Sequence, residues 1–320
     1  MKKTAIVLVN LGSPSAPEKK EVKEFLLEFL SDRRVIMRQG LLWQMILRGV
    51  ILNIRPKKSS KAYKKIWLDD GSPLSVYTKS LTDKLADQLT DEHVSISYAM
   101  RYGEPSIQNT LSKIMQEGCE RLIVLPLYPQ YSLTTTASVF DAVYDFFKKA
   151  SYIPELCMIS DYHDKACYID AICQSILDFQ QHKGRVDKLI FSYHGLPQSY
   201  IEKGDLYYDQ CCHTTQKIAQ RLQLQESEYI MCFQSRFGVE KWLMPYTLET
   251  LQSLPEKAVK SVQVICPGFA VDCLETLEEI AIENKNAFLA AGGASFEYID
   301  CLNNTPAHIK VMSEILSAYV

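Results

Sequence analysis

The sequence predicts an α/β protein of two domains, each built on a parallel β-sheet flanked by helices. Three observations carry that expectation. Short β-branched runs alternate with segments of helical period along the chain, and such alternation favours parallel sheets covered on both faces. Three of the runs lie early and three late, which points to two sheets. The 320 residues suit two domains of about 150 residues each.

The predicted strands are 5–9 (AIVLV), 94–99 (VSISYA), 121–127 (RLIVLPL), 188–193 (KLIFSY), 228–233 (EYIMCF) and 261–266 (SVQVIC). Helical spacing of apolar residues predicts helices over 18–30, 76–89, 105–117, 134–149, 165–181, 210–222 and 273–291. The first domain is placed at 1–155 and the second at 156–302. A last helix in 303–320, with Thr305 as N-cap and Pro306 at its first position, is expected to pack back on the first domain. Residues 33–67 stand apart: Leu41, Leu42, Trp43, Met45, Ile46, Leu47, Val50, Ile51 and Leu52 form an apolar block, followed by Arg55 and five lysines. Two readings stay open there, a buried core helix or an exposed hydrophobic lip.

A formal net charge of −3 and a pI near 6.1 give no global attraction to nucleic acid. The start, MKKTAIVLVNLGSP, reads as a first strand because its apolar run is too short for a secretory signal. No uncharged stretch reaches the roughly 18 residues of a spanning helix. The ten cysteines include no C-x-x-C pair, so reduced, mostly packed thiols are expected. Cys211, Cys212 and His213 resemble half of a zinc site with no second half in view.

Ligands of open parallel sheets bind beyond the carboxyl ends of the strands. His194, ending the fourth strand before Gly-Leu-Pro, is therefore either a hydrogen-bonded structural residue or a proton acceptor and metal ligand. The loop after the last strand leads into VDCLETLEEIAIEN (271–284). Asp272 as N-cap and Glu275 at N3 would make a capping box. At 100° per residue Glu275, Glu279 and Glu283 fall at about 100°, 140° and 180° from Leu274, a stripe of their own. Like charges four apart cost roughly 0.2–0.5 kcal/mol per pair. Such a stripe is either a solvated face or a route for cations or protons.

At FSYHGLPQSYIEKGDLYY (191–208), FQSRFGVEKWLMPYT (233–247) and CPGFAVDCLETLEEI (266–280) the chain resembles the ferrochelatases. VNLGSP, GSPLSVYT (71–78), RYGEP (101–105) and LPLYPQYS (125–132) extend the match over nearly the whole chain. The resemblance implies two Rossmann-like, chelatase-type domains with a porphyrin held in a cleft between them. It implies that His194 and Glu275 are catalytic and bind the metal, and that Glu279, Glu283 and Asp272 relay protons or iron. It implies that Leu11, Ser72, Arg101, Tyr102, Tyr128, Tyr207, Trp242 and Phe269 bind porphyrin, and that 33–67 holds the lip at the cleft mouth. The chain departs from the family at Cys273, where many members have histidine, and at Leu206 and Tyr208.

The implied activity is insertion of ferrous iron into protoporphyrin IX, the terminal step of haem biosynthesis. A coproporphyrin-type enzyme, a cobalt or nickel tetrapyrrole chelatase and a non-catalytic tetrapyrrole carrier are the competing readings. Fe(II) is substrate, no tightly bound cofactor is expected, and Cys301 as the last cysteine predicts no iron-sulfur cluster. Expected partners are porphyrin and Fe(II), a membrane surface touched transiently and a haem-pathway enzyme, without nucleic acid. The expected location is cytoplasmic, peripheral at the inner membrane face.

Overall fold

The structure, a computed structural model, describes every residue except Met1, Arg38, Thr90 and Val239. Arg38 belongs to the segment expected to form the lip and lies outside the described residues. The chain divides into two compact units. One comprises Met1–Tyr128, Ser132–Asp161 and Met312–Val320, the other Pro129–Tyr131 and Tyr162–Val311.

The first unit contains β1 (Thr4–Asn10), α1 (Lys19–Leu30), α2 (Leu41–Ile46), α3 (Leu52–Ile66), α4 (Pro73–Ala86), β2 (Val94–Met100), α5 (Ile107–Gln116), β3 (Arg121–Pro126), α6 (Thr136–Phe147) and β4 (Glu155–Met158). Its sheet is parallel in the order β2-β1-β3-β4. Every residue of β1 is buried, as a central parallel strand covered on both faces requires. On one face Val7, Val9, Leu122 and Val124 pack with Ile107, Leu111, Val139 and Phe147 of α5 and α6. Ser72 caps α4 by accepting the Ser75 N–H at 3.2 Å, with Pro73 at the first position. The apolar block divides between its two readings. A π-helical turn, Leu47–Ile51, joins α2 to α3; Leu47 and Leu52 are buried, whereas Leu42, Met45, Ile54 and above all Leu41, 80 % exposed, face outward.

The second unit contains α7 (Ala166–Lys183), β5 (Lys188–His194), α8 (Gln198–Ile201), α9 (Tyr207–Arg221), β6 (Tyr229–Gln234), α10 (Thr247–Ser253), β7 (Ser261–Ile265), a π-helical segment (Glu275–Asn284) running into α11 (Lys285–Ala290), and β8 (Ser295–Ile299). The final helix, α12 (Pro306–Ser317), starts where Thr305 Oγ1 accepts the His308 N–H at 3.4 Å. Its residues through Val311 group with the second unit and those from Met312 with the first. The second sheet, also parallel, runs β6-β5-β7-β8, the same order as the first.

Two strands lie outside the six predicted ones. β4 and β8 are edge strands of four and five residues, each with one covered neighbour, so neither needs a long apolar run. Among the described residues no helix is long and apolar enough to cross a membrane.

Candidate active site

In each sheet the chain leaves its first strand toward one neighbour and returns on the other side. The crevice beyond the carboxyl ends at that reversal is where such sheets hold ligands. In the second unit this point lies between β5, which ends at His194, and β7, which leads through 266–274 to the acidic helix. Gly195 is required there, since a Cβ would stand 2.6 Å from the Gln234 carbonyl oxygen. His194 Nδ1 lies 2.7 Å from the Gly195 carbonyl oxygen. A carbonyl only accepts, so Nδ1 donates the proton; in the neutral tautomer with that proton the lone pair is on Nε2, the atom that can bind a metal or take a proton.

The Glu275 main chain is tied to Gln234, the strand partner of His194. Gln234 pairs with His194 in the β5–β6 register, and its Nε2 donates to the Glu275 carbonyl at 2.8 Å. Ser192 Oγ donates to Gln234 Oε1 at 2.7 Å, which fixes the amide's orientation. Sequence reasoning missed Gln234. Its signal was position alone, the residue directly after the predicted strand 228–233.

The helix after β7 differs from its prediction in period and start. Residues Glu275–Asn284 are π-helical, a form with i→i+5 hydrogen bonds that is frequent at functional sites. The expected box of Asp272 and Glu275 is replaced one residue on. Cys273 O accepts the Leu277 N–H at 3.0 Å, and Thr276 Oγ1 accepts the Cys273 N–H at 3.0 Å. Asp272 is 2 % exposed and its two oxygens accept from Thr276 (2.8 Å), Tyr298 (2.6 Å) and Asn303 (2.6 Å). A carboxylate holding three hydrogen bonds anchors the helix start.

Along the helix Glu275 and Glu279 are half-buried and Glu283 is exposed, so the row runs from interior to solvent. The Glu279 carboxylate accepts the Ser235 N–H at 2.7 Å and the Ser235 hydroxyl at 2.5 Å. Burial pushes Glu279 up to about 7, the Ser235 and Gln234 hydrogen bonds opposing this and the Glu275 charge adding to it. A carboxyl at that value exchanges protons readily near neutrality. Cys273 is buried, and its thiol is held neutral by burial and by the Glu275 carboxylate that it hydrogen-bonds.

Trp242 lies beside His194, because 195–198 pair with 241–243 and set the indole against Gly195. Phe269 follows the Pro267–Gly268 turn, partly buried on the core of the second sheet. Tyr207 is 7 % exposed and hydrogen-bonds Cys211. Cys211 is buried and His213 stacks on His163. Among the described residues no close set of three ligands includes Cys211, Cys212 or His213.

In the first unit Leu11, Ser72, Arg101 and Tyr102 gather at the ends of β1 and β2. Tyr102 N–H donates to the Leu11 carbonyl at 2.9 Å, and Ser72 Oγ lies 2.5 Å from Ser13 Oγ. Gly12, at φ 99°, is the only residue type that fits, because a Cβ would sit 1.8 Å from the Tyr102 carbonyl oxygen. Tyr102 is 1 % exposed, edge-on to Phe25 and Phe29, with its hydroxyl donating to Asp32 at 2.7 Å. The same ring supports Arg101, whose guanidinium lies over it and bonds Asp32 at 2.5 Å. Burial alone would raise the Asp32 carboxyl, but hydrogen bonds from Ser138, Arg34 N–H and Tyr102, with the Arg101 charge, hold it below its ordinary value. Tyr128, half-buried, follows β3 and packs against the core of the first sheet.

A family model described as ferrochelatase matches residues 3–319. The chain belongs to the ferrochelatase family. Curated ferrochelatases similar to it include that of Pseudoalteromonas atlantica, 50 % identical over 98 % of this chain and 88 % of the relative. Those of Methylococcus capsulatus (48 % identical, 99 % of this chain and 97 % of the relative) and Vibrio cholerae (46 %, 98 % and 98 %) are comparable. Among solved structures, the sirohydrochlorin chelatase SirB of Bacillus subtilis subspecies spizizenii in complex with cobalt matches with a TM-score of 0.57 at 11 % identity, covering 98 % of this chain and 93 % of its own. SirB of Bacillus subtilis with Fe3+ gives 0.56 at 11 % identity, over 98 % and 95 %. At that identity the likeness concerns the fold, and it fits two chelatase-type, Rossmann-like sheets in this ferrochelatase family member.

Proposed function

We propose that the chain inserts ferrous iron into protoporphyrin IX to form protohaem, with His194 and Glu275 as the groups that meet metal and pyrrole nitrogens. The observation that carries this reading is the placement of Glu275 beside the His194 strand through Gln234, in a chain matched over nearly its whole length by the ferrochelatase model. Insertion requires loss of two pyrrole N–H protons and exchange of iron's water ligands for ring nitrogens. His194 Nε2 and the Glu275 carboxylate supply a proton acceptor and a ligand. Glu279, titrating at about 7, takes the proton onward, and exposed Glu283 hands it to solvent. Trp242 and Phe269 offer flat apolar surface for a macrocycle.

Imidazole and carboxylate also accept Zn(II), Co(II) and Ni(II), so the decisive measurement offers alternatives. Purified protein under anaerobic conditions is given Fe(II), Co(II) or Ni(II) with protoporphyrin IX or coproporphyrin, and metallation is followed by absorbance. The expected outcome is haem formation fastest with Fe(II) and protoporphyrin IX. Porphyrin binding with a spectral shift but no metallation would instead describe a carrier. His194→Ala and Glu275→Gln are each expected to slow insertion at least about 100-fold; wild-type rates would refute their roles.

A membrane contact is proposed for the outward face of α2 and α3. Leu41, Leu42, Met45 and Ile54 are exposed there, and Arg48, Arg55, Lys57, Lys58 and Lys61 are close in sequence. Apolar side chains flanked by cations suit the interface of an anionic bilayer.

A further inference from the structure

The acidic helix is fastened to the sheet by two consecutive residues, the second of them in an unusual backbone conformation. Gln234 is 3 % exposed. Its Oε1 accepts from Ser192 Oγ at 2.7 Å and from Cys266 Sγ at 3.6 Å, so its Nε2 must face the helix, where it meets the Glu275 carbonyl at 2.8 Å. Ser192 stands two residues before His194 on β5, which makes the path from the His194 strand to the Glu275 main chain two hydrogen bonds long. Ser235 follows with φ 64°, a left-handed conformation uncommon for a side chain other than glycine. That turn is what brings its N–H and its hydroxyl to the same carboxylate, Glu279, at 2.7 and 2.5 Å. Glycine would adopt this φ with less strain. What serine adds is the hydroxyl, and local strain retained at such a point marks a functional constraint.

We propose that Gln234 and Ser235 are positioning residues that hold Glu275 and Glu279 in fixed register with His194. The inference rests on the role given to Glu279 above. Ser235→Gly tests it, because glycine keeps the backbone conformation and the N–H while deleting the hydroxyl. The expected result is a kcat for Fe(II) insertion lowered about tenfold, a porphyrin KM within about twofold of wild type, and a Tm unchanged or raised. A merely structural serine would not give lower turnover with equal or higher stability. Glu279→Gln should lower kcat by itself, and the double variant should be no slower than Glu279→Gln, since the two residues act through one contact. If Glu279→Gln slows turnover but Ser235→Gly does not, or if the two effects multiply, the positioning role is overturned and the reading of Glu279 stands. If Glu279→Gln keeps the wild-type rate, the role of Glu279 falls and hydrogen exchange decides the rest. Amides of 275–284 should then exchange about tenfold faster in Ser235→Gly or Gln234→Leu than in wild type; unchanged exchange in both would overturn the clamp.

Discussion

Glu279 carries the sharpest expectation at the scale of single residues. Its carboxyl sits at about 7 against an ordinary 4.5, so between those values the folded chain binds the proton more tightly than the unfolded chain. The stabilisation this gives is complete below the lower value and is lost as pH rises through 7. Glu279→Gln should therefore raise stability at pH 8 by up to about 3 kcal/mol relative to its effect at pH 4, measured by urea unfolding. It should also remove the loss of turnover expected of the wild type as the pH falls below 7. His194 was legible in the sequence because it ends a strand before a glycine turn, and the three acids because of their spacing. The environment of each was not. Asp272 is saturated by Tyr298 and Asn303, and no local pattern announces partners about 30 residues away. Gln234 and Ser235 escaped notice because a polar strand end carries no periodicity.

At the scale of elements, the acidic helix depends on a short segment after β8. Asn303, itself at φ 49°, accepts the Asp272 N–H at 2.7 Å and donates to the Asp272 carboxylate. His308 Nδ1 donates to the Asn303 carbonyl, and burial lowers that imidazole to about 4, so it stays neutral near pH 7. Asp272→Ala removes the carboxylate that accepts from the Tyr298 hydroxyl and the Asn303 amide. It should cost about 3 kcal/mol in urea unfolding and slow insertion by displacing Glu275, whereas Tyr298→Phe should cost only about 1 kcal/mol. The long elements were legible because their apolar faces repeat with the helical or central-strand pattern. The π-helical stretch was not, for the same residues satisfy a 3.6-residue wheel well enough to hide an i→i+5 ladder. Helix start was misjudged for a related reason: Asp272 is the better capping residue type, yet its side chain is drawn to Tyr298 and Asn303.

For the whole molecule, both sheets share one strand order, and each directs its polar loops to the reversal beside its first strand. In one unit that place holds Asn10 through Ser13 with Arg101, in the other His194 with the acidic helix. The two-sheet organisation was read from the grouping of six strands, because buried parallel strands write themselves as continuous apolar runs. The exposed side of α2 and α3 makes a separate prediction. The protein should co-sediment with vesicles rich in anionic lipid and be released by high salt. Leu41→Ser with Leu42→Ser should weaken that binding while changing unfolding free energy by less than about 0.5 kcal/mol, since both side chains are exposed.

The π-helical segment makes chain length itself part of the site. Each residue of an α-helix advances the side chains by about 100°, and an i→i+5 ladder accommodates one residue more than an i→i+4 ladder would. Removing any one of Thr276, Leu277 or Glu278 would allow the segment to close as an ordinary helix, and Glu279 would swing away from Ser235, with Glu283 turned by the same step, while Glu275 stayed pinned to Gln234. Substitutions there change one side chain at a time; a deletion re-aims two acids at once. This stretch should therefore tolerate exchange of residue types far better than any change in their number.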